Sequence, residues 1–143
     1  MARFLDSKTS QNASYANSIA VPITAINTPE LIAQQTLNLS GGTANLTVVS
    51  FTGIVATQLP LVPLVTNILI TVVRGTTPSG LIVFSASQNL DLSIVGPQLI
   101  NFAGSDFNAP NTANVVYSVY IQSSALGTVR VGPESCNLIG VSD

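Results

Sequence analysis

Asp91 and Asp106 are the two residues whose type and spacing come nearest to a catalytic constellation, since a pair of carboxylates can divide acid and base work on a glycosidic bond. Both stand among Asn and Ser, in S-Q-N-L-D-L-S (residues 87–93) and G-S-D-F-N (104–108), where an aspartate ordinarily bonds its own backbone and makes a turn. The turn role is the expected one. Asp106, Asn108 and Asn111 also offer one carboxylate and two amide oxygens, the beginning of a calcium shell, but a single negative charge is weak for that ion. The chain has no His, and Lys8 is its only Lys. Imidazole metal sites and Ser-His or Cys-His nucleophile pairs therefore cannot be assembled. The expectation is a protein that is not an enzyme, with no catalytic residue, metal or cofactor.

Cys136, the only cysteine, excludes an intrachain disulfide. It stands in an apolar stretch, Ser135 to Val141, where it is either a small buried hydrophobe or a thiol for an intermolecular bridge. Asn12, Asn38 and Asn45 open glycosylation sequons, which a chain so rich in Asn, Ser and Thr also produces by chance. Tyr117 and Tyr120 fall on opposite faces of one strand, and a place in the core or a subunit interface is expected for them rather than a sugar platform.

Charge narrows the partners. Only 7% of the residues are charged, against about a quarter in an average soluble chain, and four basic residues face six acidic ones for a net charge of -2. Nothing here could neutralise a run of phosphates, so nucleic acid is not an expected partner. A surface this neutral repels other copies weakly and favours association. The uncharged run Ile54 to Val73 is long enough for a membrane span, yet it carries Pro60, Pro63, Gln58 and Asn67, so two strands around a proline-punctuated loop are expected instead and no membrane partner. The N-terminus, M-A-R-F-L-D-S-K-T-S-Q-N, lacks the apolar run of a signal peptide, so the chain is expected to be used inside a cell or released without cleavage.

The elements that carry these residues read as strands. Asn67 to Arg74 is apolar on both faces, and Gly75 to Gly80 supplies the turn into Leu81 to Ala86, an antiparallel return. In Ala113 to Ser123, alternation puts Val115, Tyr117, Val119 and Ile121 on one face. Asn45 to Phe51, Ile54 to Leu59 after a bulge or bend at Gly53, a short strand within Ser87 to Pro97, Leu99 to Phe102, Thr128 to Val131 and Ser135 to Val141 follow the same logic, with a long loop over Ala103 to Thr112. Leu31 to Gln35 is either one helical turn or the lead-in to a strand. No amphipathic helix of useful length is present. The expected fold is all-β, a jelly-roll β-sandwich of about eight strands over residues 26–143.

Residues 1–25 are expected to form a separate, flexible N-terminal arm. Its first fourteen residues are polar without a period, and in Tyr15 to Ala25 the residues Tyr15, Ile19, Val21 and Ile23 alternate to one side. Pro22 confines such a strand to a sheet edge. The arm then covers the edge of its own domain, adds to the edge of a neighbour, or is simply the domain's first strand.

Three segments, T-V-V-R-G (Thr71 to Gly75), Y-S-V-Y-I (Tyr117 to Ile121) and V-G-P-E-S (Val131 to Ser135), resemble the small jelly-roll proteins of the Bacillus-type endospore surface. That group includes exosporium proteins and the subunits of pilus-like endospore appendages. The resemblance implies a self-assembling structural subunit on the spore surface, made in the mother cell without a signal peptide. It also implies trimeric layers stacked into a fibre, with an anchor or tip protein as a further partner. In such subunits an N-terminal connector docks into the neighbour. Here Tyr15, Ile19, Val21 and Ile23 would dock non-covalently, because the arm has no cysteine. Burial of the three aliphatic residues contributes on the order of 5 kcal/mol gross. A trimeric lectin-like or receptor-like binding module at a fibre tip or on the exosporium is the alternative.

Overall fold

The computed structural model describes residues 1–143 and contains nine strands and no helix: β1 (Arg3–Ala13), β2 (Val21–Pro22), β3 (Glu30–Leu37), β4 (Thr47–Gln58), β5 (Asn67–Arg74), β6 (Leu81–Asn89), β7 (Pro97–Asp106), β8 (Val115–Ser123) and β9 (Val129–Ser142). All pair antiparallel. One sheet has the order β1-β9-β4-β7, with the two-residue β2 also on β9, and the other has the order β3-β8-β5-β6. Apart from the β5–β6 hairpin, each strand from β3 onward crosses to the opposite sheet. This winding makes the chain a jelly roll.

The core lies between the sheets. Ile68, Ile70 and Val72 of β5 meet Val115, Tyr117, Val119 and Ile121 of β8 on the inner face of one sheet, and Val49, Phe51, Val55 and Leu138 line the other. The second face of β5, expected to need a cover, is partly roofed by the chain itself: Leu69, Thr71 and Val73 form a shallow groove with Pro29, Pro78 and Ile82. The segment weighed as a membrane span is the end of β4, a loop and β5; no helix is long and apolar enough to cross a membrane.

Phenylalanine and glycine alternate across the β4–β7 ladder. Phe51 stands opposite Gly104, and Gly53 opposite Phe102. A methyl group on Gly53 would lie 2.2 Å from Cζ of Phe102, and one on Gly104 within 2.8 Å of both Phe84 and Phe51. Each glycine thus leaves room for a facing ring, and Phe51 packs edge-on against Phe84 with centroids 5.5 Å apart. Gly53 is therefore no bulge, and β4 runs unbroken through it.

Of the two readings open for Leu31 to Gln35, the structure has the strand, β3. Other expectations are corrected. Ala103 to Asp106 extend β7 instead of opening a loop, because Asp106 is buried at the strand end. Ser87 to Asn89 finish β6, and the stretch after them is a loop anchored by buried Leu90. β9 absorbs both closing strands: Gly132, at φ 88°, sits in an irregularity of the β4–β9 ladder between Val55 and Thr57.

The largest difference concerns the N-terminus. Residues 3–13, expected as part of a mobile arm, form β1, which pairs with β9 along nearly its whole length. They are needed for the eight-strand winding, so the sandwich begins at β1 rather than at residue 26. β1 buries little surface, with only Leu5 and Ala13 packing inward among its apolar residues, which is why no alternation is visible in R-F-L-D-S-K-T-S-Q-N-A.

Candidate assembly surfaces

The few charged side chains in the sandwich pair inside it. Asp106 ends β7 and accepts hydrogen bonds from Nε and Nη2 of Arg74, both at 2.8 Å, and from the Tyr117 hydroxyl at 2.7 Å. Arg74 and Tyr117 belong to one sheet and Asp106 to the other, so this cluster clasps the two layers. Burial alone would raise the Asp106 carboxyl, but the bonds from Arg74 and Tyr117 and the guanidinium charge outweigh it and hold the carboxyl below its ordinary range. The bond to Asp106 raises Arg74, and burial, then Asp106, pushes the Tyr117 hydroxyl far up.

A second clasp sits beside the β9 irregularity. Arg130 Nε donates to Glu134 at 2.7 Å, and Nη1 reaches across to Glu30 of β3 at 2.8 Å. Asn12 of β1 donates to the Ile32 carbonyl at 2.7 Å and also to Glu134. Burial opposes the charge on Arg130, while Glu134 and Glu30 more than restore it.

These networks also decide the chemistry weighed above. Asp91 is bonded through Gln98 to the start of β7, whereas Asp106 ends that strand, a separation on the order of 25 Å along β7. They form no acid–base pair. Asp91 is a turn residue, accepting from the Ser93 hydroxyl at 2.6 Å and the Ser93 backbone at 2.9 Å, and these bonds lower its carboxyl. Of the possible calcium ligands, Asp106 is held by Arg74 and Tyr117, and the Asn111 amide oxygen accepts from Thr47. No group of three His, Cys, Asp or Glu side chains could hold a metal ion.

The four docking residues do not share a face. Tyr15 is 76% exposed, Ile19 and Val21 are half-buried along the β9 edge, and Ile23 is in the chain's own core. The Ile19 and Ile23 amides donate to the carbonyls of Val131 and Thr128. Pro22 is on an edge strand, as its missing N–H requires. The segment thus takes the first of the alternatives open to it within one chain and covers its own sheet edge. Cys136 faces inward in the core, where burial pushes its thiol up to about 11. From there it packs as a small hydrophobe. Tyr117 and Tyr120 are both buried, on opposite faces of β8.

Sequence reading missed the two ionic clasps, in which Arg130 and Glu30 are paired across 100 residues. The available signal was the scarcity itself: a lone Arg ending an apolar strand, and a lone Asp before a turn-rich loop.

No family model matches this chain, and no curated protein does. Among solved structures, it is similar to part of dimeric latent PorU from Porphyromonas gingivalis, with a TM-score of 0.57 at 10% identity, over 98% of this chain and 13% of that one. It is also similar to the structure of infectious bursal disease virus Gx strain, with a TM-score of 0.50 at 12% identity, over 100% of this chain and 32% of the viral one. The likeness is one of fold, and this chain spans a third or less of the length of either.

Proposed function

We propose that this chain is a self-assembling structural subunit, and that its assembly is a non-covalent fibre on the surface of an endospore. The observation that carries the reading is the position of β1. It is the outermost strand of its sheet, hydrogen-bonded to β9 and joined to the rest of the sandwich by residues 14–20, all exposed except half-buried Ile19. Passing β1 to the β9 of a neighbour preserves every hydrogen bond of the ladder while linking copies. A nearly uncharged surface supports the same reading, since it opposes association little. Resemblance of the three segments to endospore-surface proteins supplies the spore setting, with trimeric layers and an anchor or tip protein as proposed partners.

Removing residues 1–25 is a poor test, because it takes away a jelly-roll strand and core residue Ile23. Register offers a better one. Thr9 and Asn137 face each other across β1 and β9, their side chains 2.9 Å apart and exposed. In a Thr9→Cys, Asn137→Cys variant, oxidation joins β1 to whichever β9 it occupies, and Cys136 stays buried. A ladder of covalent multimers on a non-reducing gel, with fibres in negative-stain images, is the expected result. Intrachain linkage alone, from a protein that forms no larger particles, would sink the fibre reading.

A further inference from the structure

The loops at one end of the sandwich carry a second surface. There the β4–β5 loop (59–66), the β6–β7 loop (90–96) and the β8–β9 turn (124–128) come together, since each connects the sheets at the same pole. Their exposed side chains are aliphatic: Leu61 is 97% exposed, Val95 94%, Val62 86%, Val65 75%, Leu64 67% and Leu126 51%. Together these six residues expose on the order of several hundred Å², a large part of what one partner contributes to a stable protein interface.

The loops are tied into one body. Pro60 and Pro63 restrict the backbone of the first, and the Thr66 hydroxyl donates to the Leu64 carbonyl at 2.8 Å. The Leu90 amide donates to the Thr66 carbonyl at 2.9 Å, joining the second loop to the first. Gln98 brackets Asp91 with two bonds of 2.9 Å. Gly127, at φ 98°, lies so close under Pro60 that a methyl group there would sit 2.9 Å from the proline Cγ. Such a surface is held in place for contact at little cost in ordering.

We infer that this apolar tip is where copies of the chain meet one another about a symmetry axis, an inference that rests on the self-assembly reading above. Its chemistry selects the occupant. No Lys or Arg stands in the three loops or in residues 14–29, which end at the same pole and add a single exposed ring, Tyr15, so the cations that seat proteins on a bilayer are missing. Asp91 is the one charge there. A second copy brings the same neutral Leu, Val and Ile surface, which resembles a core cut in half, as permanent self-interfaces do.

Leu61 and Val95 touch so little of their own chain that changing them leaves the fold intact. The test compares the mass in solution of the wild type with Leu61→Asp, Val95→Asp and with the uncharged Leu61→Ser, Val95→Thr, checking thermal unfolding of each. Smaller particles from both variants than from the wild type, with the cysteine-linked β1–β9 ladder kept, are the expected outcome. Oligomers of unchanged size in both variants overturn the tip and leave the self-assembly reading standing. Loss of the cysteine-linked ladder with tip-dependent oligomers intact would instead remove β1 exchange and keep the tip. A wild type that stays a single chain overturns both. If that single chain sediments with neutral phosphatidylcholine vesicles and the variants do not, the occupant is a bilayer and the inference fails.

Discussion

Tyr117, Asp106 and Arg74 hold the two sheets together at the end opposite the apolar tip, and their chemistry makes that end sensitive to acid. Arg74 neutralises Asp106 through two bonds, and the Tyr117 hydroxyl takes a third position on the same carboxylate. Because the folded carboxyl is depressed, its contribution is fully present above the ordinary carboxylate value of about 3.9 and is lost as pH falls through the lower folded value. Tyr117→Phe removes one donor from a buried carboxylate and is expected to cost about 1–3 kcal/mol near neutral pH. That cost should shrink as the pH falls below the ordinary carboxylate range and through the depressed value of folded Asp106, where the carboxyl takes up a proton. Urea midpoints of both proteins across that range check the prediction. A cost independent of pH would show that the ring's hydroxyl acts otherwise than through Asp106. None of the three stands out in the sequence, since Asp106 lies among turn formers and Tyr117 reads simply as an apolar core position. A salt bridge between strands of different sheets leaves no local pattern to read.

Strands are legible in proportion to how much of them is buried. β8 shows its alternation openly because its inner face is core and its outer face is mixed. β5 was read from its uninterrupted apolar run, as a strand covered on both faces should be. β1 and β6 are edge strands with little buried surface, so hydrophobic alternation says little about either, and β1 reads as a mobile leader. Gly53 is ambiguous for another reason: a glycine inside a strand marks either a bulge or a close approach, and only the facing Phe102 tells which. That pairing yields a prediction about the whole β4–β7 ladder. Gly53→Ala places a methyl group against the ring, so Phe102 must leave its rotamer and disturb Phe84 behind it, for a loss of about 1–3 kcal/mol. Adding Phe102→Leu, which removes the ring edge, should make the alanine far less costly than it is beside phenylalanine. Thermal unfolding of the two single variants and the double variant measures the coupling. Additive losses would mean that Gly53 is required for its backbone and not for the space it leaves.

Across the whole molecule, charge and apolar surface are segregated. Arg74, Asp106, Arg130, Glu134 and Glu30 satisfy one another within the sandwich. Of the remaining charged side chains, Arg3, Asp6 and Lys8 lie on β1, and Asp143 meets the N-terminal amine at 3.3 Å, so all four gather on the edge and end away from the tip. Only Asp91 stands at the tip. Contacts between copies made by an exchanged strand and an aliphatic tip therefore rest on backbone hydrogen bonds and apolar burial, terms that dissolved salt screens hardly at all. Assembly is expected to keep the same size distribution over a tenfold rise in sodium chloride, and to grow in sodium sulfate, which strengthens apolar burial. Light scattering at fixed protein concentration reads both effects. Particles that dissociate in sodium chloride would mean that Arg3, Asp6, Lys8 and Asp143 make the contacts, and the interface would then have to be sought at the charged end, with β1 meeting a neighbour by its side chains instead of its backbone.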